Sequence, residues 1–593
     1  MSFATPVRDM RFALDHMAGY EALLKGNMYP DLSEDLTSAI LEEAAKFCDN
    51  VLAPLNWESD QNGSVLKNGV VRTSPGFKEA YQQYVDGGWG SLAFPEEVGG
   101  QGLPSTLSVA LIDGMNAACM SFAIGTTLTN GALKTILHVG TPEQKRLYAE
   151  KLASGEWTGT MNLTEPQAGS DLSEIRTKAE PVGDGRYKIT GQKIYITYGD
   201  HDMADNIVHL VLARLPDAPE GTGGISMFLV PKNHINNDGG LEACNDVQCV
   251  GLEEKMGLHG SPTAVMAYGE KGECYGTLLG EENKGLRNMF VMMNSARLDV
   301  GVQGVGVAER AYQRALAYAQ ERRQGRAPGV RSGDQIPIIQ HADVRRMLYS
   351  MKSTIEASRG ICYANAVAYD LARRSDDAAT QKKAKALEEL LTPISKAWST
   401  DRANETTSIG VQIHGGMGYV EETGAAQHVR DARIAAIYEG SNGIQAIDLV
   451  GRKLQGDGGA AANAFIEEAR ATATAAKNVG FDAIAERLFE TANAVKHSTD
   501  WLLEAASRDP HDVLAGATPY LRQFGNLAGG VYLTKGAVAA APTAKDGDIY
   551  AASKVAITQF YANNTLAETP GITGAVTAGA SSVQEIDPAV LSA

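Results

Sequence analysis

Glu439 is the residue whose neighbours best suit it to move a proton. It lies in the run Ile437-Tyr438-Glu439-Gly440-Ser441. A carboxylate among apolar side chains loses hydration, so its pKa rises and it can serve as a general base near neutral pH. Gly440 lets the chain turn tightly beside a ligand. For these five residues alone, a solvated glutamate at a helix end is the ordinary reading. Two other stretches change that balance. One is the glycine-rich turn Gln412-Ile413-His414-Gly415-Gly416-Met417-Gly418-Tyr419, followed by Arg430-Asp431-Ala432-Arg433 and, beyond Glu439, by Ile444-Gln445. The other is the distant run Met161-Asn162-Leu163-Thr164-Glu165-Pro166-Gln167-Ala168-Gly169-Ser170-Asp171. Thr-Glu-Pro within it is by itself a common β-turn, but the eleven residues together are far more specific.

Other candidates carry less. Gly301-Val302-Gln303-Gly304-Val305-Gly306 has the glycines of a nucleotide-binding loop, yet it follows a helical run rather than a strand. Close helix packing is the better reading. His414 reads as a packing residue. The six cysteines, at 48, 119, 244, 249, 274 and 362, form no CxxC pair, and Cys244 and Cys249 have no histidine at zinc-ligand spacing. Free thiols, a reducing cytoplasm and no metal site are expected.

The elements that must position these residues follow from length and periodicity. A chain of 593 residues calls for three or four domains. A net charge of -18 argues against partners that are nucleic acids or anionic membranes. The N-terminus lacks an apolar signal core, and no long uninterrupted apolar run is seen, so no bilayer-spanning helix is expected. Residues 1–158 read as helical. Ser33-Glu34-Asp35 supplies a cap and first-turn acids, Leu36, Ile40, Phe47 and Val51 share a face, and Pro54 is expected to end that run. Thr141-Pro142-Glu143-Gln144 is a capping box. Residues 159–283 read as a β domain: 187–197 alternates, while 207–213 and 225–230 are β-rich runs bounded by glycine and proline. Helical periods return over 284–450. Residues 451–593 form an alanine-rich helical extension, with patterns at 463–507 and 516–541. From about Gly571 the helical stripe is lost, which predicts a loose tail or a strap. The class is α+β, with helices, strands and helices in succession rather than βαβ alternation.

The Glu439 run, the Gln412–Tyr419 turn and the 161–171 motif together resemble the acyl-CoA dehydrogenase family over roughly residues 35–450. The resemblance implies that family's fold: an N-terminal helical domain, a middle β domain and a C-terminal helical bundle, here with an extra helical domain. It implies FAD as cofactor, an acyl-CoA substrate and an electron-transfer flavoprotein as acceptor. Glu439 falls at the position of the base that takes the α-proton while a hydride leaves the β-carbon for the flavin. The thioester oxygen is then met by the base's own backbone amide and a ribityl hydroxyl of the flavin. Met161, Leu163, Thr164 and Ser170 fall in the family's flavin loop, with Ser170 also near CoA. Tyr195, Ile196 and Thr197 fall on the neighbouring strand, Tyr195 where many relatives carry tryptophan. Ser441 and Gly443 complete that flavin set. Tyr438, Gly440, Asn294 and Arg297 fall on the substrate side. Arg322, Gln412, Gly415 and Gly416 match positions that reach a neighbouring subunit's FAD, which implies a homodimer or a dimer of dimers. The match at Arg322 is incomplete, because Arg323-Gln324-Gly325-Arg326 lacks the aromatic that usually follows. Ala296 stands where some relatives carry their glutamate base, leaving Glu439 as the one candidate.

The opening Pro6-Val7-Arg8-Asp9-Met10-Arg11-Phe12 and the extension beyond 450 narrow the resemblance. The whole chain is similar to the bacterial branch that oxidises 3-(methylthio)propionyl-CoA to methylthioacryloyl-CoA in dimethylsulfoniopropionate breakdown. No single residue reads sulfur. A straight-chain fatty acyl-CoA dehydrogenase, an acyl-CoA oxidase and a non-catalytic scaffold stay open as alternatives.

Overall fold

The computed structural model describes residues 3–25 and 28–592. In chain order, α1 is Val7–His16, α2 is Ser105–Val139 and α3 is Pro142–Ser154. The strands follow as β1 (Trp157–Asn162), β2 (Lys178–Gly183), β3 (Arg186–Thr197), β4 (Asn206–Arg214), β5 (Ile225–Pro231), β6 (Val247–Leu252), β7 (Thr263–Tyr268) and β8 (Tyr275–Leu278). Long helices come next: α4 (Gly285–Glu321), α5 (Ala342–Arg374) and α6 (Ala378–His414). Then come α7 (Ala425–Arg433), α8 (Asn442–Asp448), α9 (Ala460–Asn478), α10 (Asp482–Ala505), α11 (Pro510–Lys545) and α12 (Ile549–Tyr561). The chain divides into two compact units, Lys46–Asp299 and Met1–Ala45 with Val300–Ala593. The first 45 residues thus group with the C-terminal helices rather than with the rest of 1–158.

In the unit Lys46–Asp299 the eight strands lie in the order β6-β7-β3-β8-β5-β4-β1, with β2 beside β3 and β4. Only β1 with β4, and one bridge of β2 to β4, run parallel. The unbroken apolar runs of β4 and β5 arise because both faces of the sheet are covered. Val208, Leu210, Leu212, Met227 and Leu229 join a core with Leu128, Ala132 and Leu133 of α2 and Leu152 of α3. Val211, Ala213, Phe228 and Val230 point into a second core with Ile189, Ile196, Met266 and Tyr268. The capping box starts α3 as its sequence predicts: Thr141 Oγ1 accepts from the Gln144 amide at 3.2 Å, and Gln144 Oε1 from the Thr141 amide at 3.0 Å.

Three expectations need correction here. Pro54 does not end the helical run, because a π-helical turn at Cys48–Leu52 passes the chain into a further helix, Ala53–Asn62, with proline in its first turn. A short hairpin, Val65–Lys67 with Val70–Arg72, interrupts the helical region. And α2 is long and apolar enough to cross a bilayer, with mean hydropathy 1.6 over its most apolar window; 94% of that window is buried in protein, so it serves as a core helix. Glycine, serine, threonine and asparagine break its apolar run in the sequence.

In the other unit, the glycines of α4 do pack closely on α6. A Cβ on Gly301 would stand 2.5 Å from the Ser395 carbonyl oxygen, and one on Gly304 3.0 Å from that of Ser399. The 463–507 pattern is two helices, parted at Gly480 in the left-handed region (φ 90°). Their apolar residues Phe465, Ile484, Leu488 and Leu502 are buried. Phe465 meets Phe524 and Tyr532 of α11, and Leu488 and Leu502 lie against its Gly530 and Gly516. Contacts to the bundle are made by α9, which touches α6, and by α11, where Trp398 Nε1 of α6 donates to Asn526 Oδ1 at 2.8 Å. The segment after Gly571 is a strap as far as Ala580, whose amide donates to Asp512 Oδ1 at 2.8 Å and which is buried together with Val576. Residues 581 and 583–592 are exposed.

The opening helix is tied to the end of the chain by buried charge. Asp9 Oδ1 accepts from Lys554 Nζ at 2.6 Å and from the Tyr550 hydroxyl at 2.7 Å, and Oδ2 accepts from Lys352 Nζ at 2.6 Å. Lys554 also bonds Glu356 at 2.8 Å. Burial alone would raise the Asp9 pKa, but the two ammonium groups hold it well below the usual carboxylate range. The two sequence features that narrow the resemblance, the opening segment and the extension, are therefore parts of one packed assembly.

Candidate active site

The base loop belongs to the unit that holds α4 to α12 from Val300 onward. Between a short helical turn at Ile434–Ala436 and α8, Glu439 and Gly440 both take left-handed backbone, at φ 56° and 79°. For glycine this is free. For glutamate it costs roughly 1–2 kcal/mol, so surrounding contacts must enforce it. Ser441 caps α8, its Oγ accepting from the Ile444 amide at 3.4 Å. The next residue anchors the turn. Asn442 Nδ2 donates to Asp401 Oδ1 at 2.7 Å, Thr400 Oγ1 at 3.0 Å and the Ala397 carbonyl at 3.1 Å, while its Oδ1 accepts from Lys396 Nζ at 2.8 Å. On the other side the Tyr438 hydroxyl donates to Gln303 Oε1 of α4. Burial, and then the charge of Glu439, push the Tyr438 pKa up, so the hydroxyl keeps its proton. Glu439 is half-buried. Ile437 is 51% exposed, so of the two apolar neighbours expected to desolvate the carboxylate only Tyr438 is withdrawn from solvent. Gly443 is exposed.

The residues implied for a neighbour's cofactor lie in the same unit, at the ends of α4 and α6, which meet at Tyr318 and His414. Arg322 follows the last residue of α4, and one turn earlier the Tyr318 ring stacks on His414 at 4.5 Å. His414 is buried, and its Nδ1 lies 2.7 Å from the Gly410 carbonyl oxygen. It is a packing residue that fixes the following turn against α4. Arg322, Gln412, Gly415 and Gly416 are all exposed, and a Cβ on either glycine would meet nothing within 4 Å. Such a bare glycine turn beside an arginine suits close approach of a phosphate-bearing group.

The flavin loop belongs to the unit Lys46–Asp299. It leaves β1 after Asn162 and turns back at Glu165–Ala168, where each amide bonds the other's carbonyl at 3.0 Å. Glu165 is the anchor that sequence reasoning passed over as part of a plain turn. Its carboxylate is 4% exposed and accepts from five donors. These are Gln167 Nε2 (2.7 Å), the amides of Arg176 (2.7 Å) and Thr177 (3.0 Å), the Thr177 hydroxyl (2.6 Å) and Lys193 Nζ (2.8 Å). Burial opposes the charge, but Lys193 and these donors win and hold the Glu165 pKa down at about 2. Lys193 is fully buried on β3 and also donates to the Leu163 carbonyl at 2.9 Å. The Ile194 amide bonds the Thr164 carbonyl at 3.0 Å, which ties the loop to β3.

At that point β3 bulges. Its register against β7 slips between Ala264 and Met266, and Tyr195 takes a left-handed φ of 60°. The bulge throws the Tyr195 ring outward, 60% exposed, while Ile196 returns to the core at 2%. Of the residues implied for the flavin, Met161, Leu163, Thr164 and Thr197 are half-buried, and Ser170 and Tyr195 are exposed. Ile196 has only its backbone left to offer a ligand. An exposed ring on a strained bulge, hydroxyls at Thr164, Ser170 and Thr197, and a loop fixed from beneath fit a flat heteroaromatic group such as a flavin. On the α4 segment of this unit, Asn294 is exposed and accepts from Arg297 Nη1 at 3.3 Å, while Arg297 itself is buried. Arg297 thus orients Asn294 rather than reaching outward.

The chain belongs to the acyl-CoA dehydrogenase family. It matches the family's N-terminal domain over residues 34–156, its middle domain over 160–268 and its C-terminal domain over 283–455. An acetyl-CoA dehydrogenase C-terminal-like domain matches 465–587. It is accordingly a flavin-dependent acyl-CoA dehydrogenase with FAD as its cofactor. The 3-methylmercaptopropionyl-CoA dehydrogenase of Ruegeria pomeroyi is 47% identical over 96% of this chain and 97% of its own. The broad-specificity linear acyl-CoA dehydrogenase FadE5 of Mycobacterium tuberculosis is 31% identical over 95% of each chain. Among solved structures, the acyl-CoA dehydrogenase complexed with FAD from Bacillus anthracis superposes with a TM-score of 0.74 at 22% identity, over 97% of this chain and 92% of that one, a likeness of fold.

Proposed function

We propose that the chain oxidises 3-(methylthio)propionyl-CoA to methylthioacryloyl-CoA, with Glu439 as the base. The observation that carries the catalytic part is Glu439 itself, a half-buried carboxylate held in strained left-handed backbone by contacts from three helices. The substrate rests on the 47% identity to the Ruegeria enzyme, which spans 96% of this chain.

The α-proton is acidified by the adjacent thioester and passes to the Glu439 carboxylate, while the β-carbon loses a hydride. Bound FAD supplies the acceptor for that hydride at N5. The Tyr438 ring keeps water from one side of the carboxylate, which favours proton uptake. The Glu439 amide is the donor this chain offers to the thioester oxygen as negative charge develops there. Thr164, Ser170, Tyr195 and Thr197 would hold the flavin, and Asn294, oriented by Arg297, the pantetheine arm.

The same reading carries a homodimer or dimer of dimers, a cytoplasmic location, a place in dimethylsulfoniopropionate degradation and an electron-transfer flavoprotein as acceptor. The bare turn at Gly415 and Gly416 beside exposed Met417 and Tyr419 supports a second subunit covering that surface.

A second reading, a straight-chain acyl-CoA dehydrogenase, is favoured by the full-length likeness to FadE5. Anaerobic bleaching of the flavin by methylthiopropionyl-, butyryl- and octanoyl-CoA separates the two. The proposal expects the highest kcat/KM on methylthiopropionyl-CoA. A clear preference for butyryl- or octanoyl-CoA would replace it with the straight-chain reading.

A further inference from the structure

The left-handed conformation of Glu439 needs an explanation at its carbonyl side. Tyr438 and Gln303 hold the residue before it, and Asn442 holds the chain three residues after it. Between these, one side chain meets the carbonyls of both Glu439 and Gly440. Gln445 of α8 is fully buried, and its Nε2 faces the carbonyl oxygens of Glu439 at 3.4 Å and Gly440 at 3.3 Å. Its Oε1 is buried without a hydrogen-bond partner. That orphan decides the orientation of the amide. Turning it over would set an oxygen against two carbonyl oxygens, so Nε2 stays on the backbone although Oε1 is stranded. A stranded buried acceptor lowers stability.

We infer that Gln445 is a positioning residue for proton abstraction: it holds the two peptide planes after Glu439 and so fixes both the carboxylate and the Glu439 amide. The inference rests on Glu439 being the base. Each contact is long and weak alone, but the two together fix ψ of Glu439 and the turn at Gly440. The Tyr438 side of the loop fixes φ. With both ends set, the carboxylate leaves the backbone in one direction. Without Gln445, two adjacent left-handed residues lose the amide that faces both of their carbonyl oxygens. A displacement of about 1 Å at a reacting group costs on the order of 10²-fold in rate.

The test is Gln445→Met in the holoenzyme. Methionine keeps the length and the burial and removes both the donor and the stranded oxygen. The expected result is a flavin-reduction rate constant lower by about 10- to 100-fold, with KM, flavin content and the absorbance spectrum unchanged and Tm equal to the parent or higher. Exchange of the substrate α-hydrogen into D2O, followed by NMR, should slow by the same factor. A role in folding alone would instead lower Tm and leave the rate. Gln445→Leu, buried and without any donor, should slow the reaction in the same way and serves if the methionine variant folds poorly. Reduction within twofold of the parent in either folded variant would overturn the inference. Glu439→Gln runs alongside: if it still reduces flavin at the parental rate, the base assignment fails, and Gln445 loses its role with it. If Glu439→Gln is silent while Gln445→Met is normal, only the inference about Gln445 fails.

Discussion

The flavin loop and the base loop are both irregular, each goes with one strained non-glycine residue (Tyr195 on the strand that backs the flavin loop, Glu439 in the base loop itself), and they are held in opposite ways. The flavin loop is gripped by formal charge. Glu165 and Lys193, both buried, touch it directly, and Lys193 reaches the Leu163 carbonyl. The base loop is touched at Tyr438, Glu439 and Gly440 by neutral amides, Gln303 and Gln445. One step further out, Lys396 and Asp401 meet the two ends of the Asn442 amide. The difference has a physical reason. A lysine against the base loop would stabilise the Glu439 carboxylate and weaken it as a base, and an acid would do the reverse. The flavin loop carries no titrating group that must change state, so a strong charged grip is tolerated there.

The comparison can be broken first at the charged grip. Lys193→Met leaves the Glu165 carboxylate buried without its counter-ion, and removing one partner of such a pair costs about 3–5 kcal/mol. The expected outcome is a lower Tm and loss of FAD on gel filtration. The double variant Glu165→Gln/Lys193→Met should recover much of that loss, because no unpaired charge remains. A double variant as unstable as the single would show that geometry rather than charge balance holds the loop.

Asn442→Ala is the counterpart on the base loop and a smaller change. It removes hydrogen bonds worth about 1–3 kcal/mol. It should slow flavin reduction about tenfold, the scale of 1.4 kcal/mol, while FAD stays bound. The pair of variants therefore separates two readouts, cofactor retention for Lys193 and rate for Asn442. Loss of FAD from Asn442→Ala would erase the distinction.

Acid is the mildest probe. The Glu165 pKa is depressed from 4.5 to about 2, so the stability it contributes is complete above pH 4.5 and fades as pH falls from there toward 2. Glu165→Gln should flatten this limb of the curve, measured by near-UV circular dichroism of the holoenzyme. An unchanged acid limb in the variant would place the responsible carboxylates elsewhere, with Asp9 as the next to test, since its pKa is depressed as well.

The two loops were legible in the sequence as motifs, the grips on them were not, and some of what was missed left a trace. In β3 the apolar residues fall at 187 and 189 and then at 194 and 196, a shift of phase that marks the bulge at Tyr195. Lys193 sits in the inward register with Ile189, and an inward lysine asks for a buried acid. Glu165 was hidden because its motif also makes an ordinary turn. Gln303 with Tyr438, and Asp9 with Lys554, left no trace, because they join residues 135 and 545 positions apart. Local periodicity cannot report such pairs. The helical extension was visible as alanine-rich pattern, but its partner was not: the faces of α9 and α10 look suited to any apolar surface, and only the structure shows α11 taking it.

The measurement closest to the central claim is anaerobic flavin reduction by 3-(methylthio)propionyl-CoA in the parent and in Glu439→Gln. The parent should bleach. The variant should keep its FAD and its yellow spectrum and reduce slower by at least about 10²–10⁴-fold, the range of general base catalysis. Bleaching of Glu439→Gln at close to the parental rate would contradict the account.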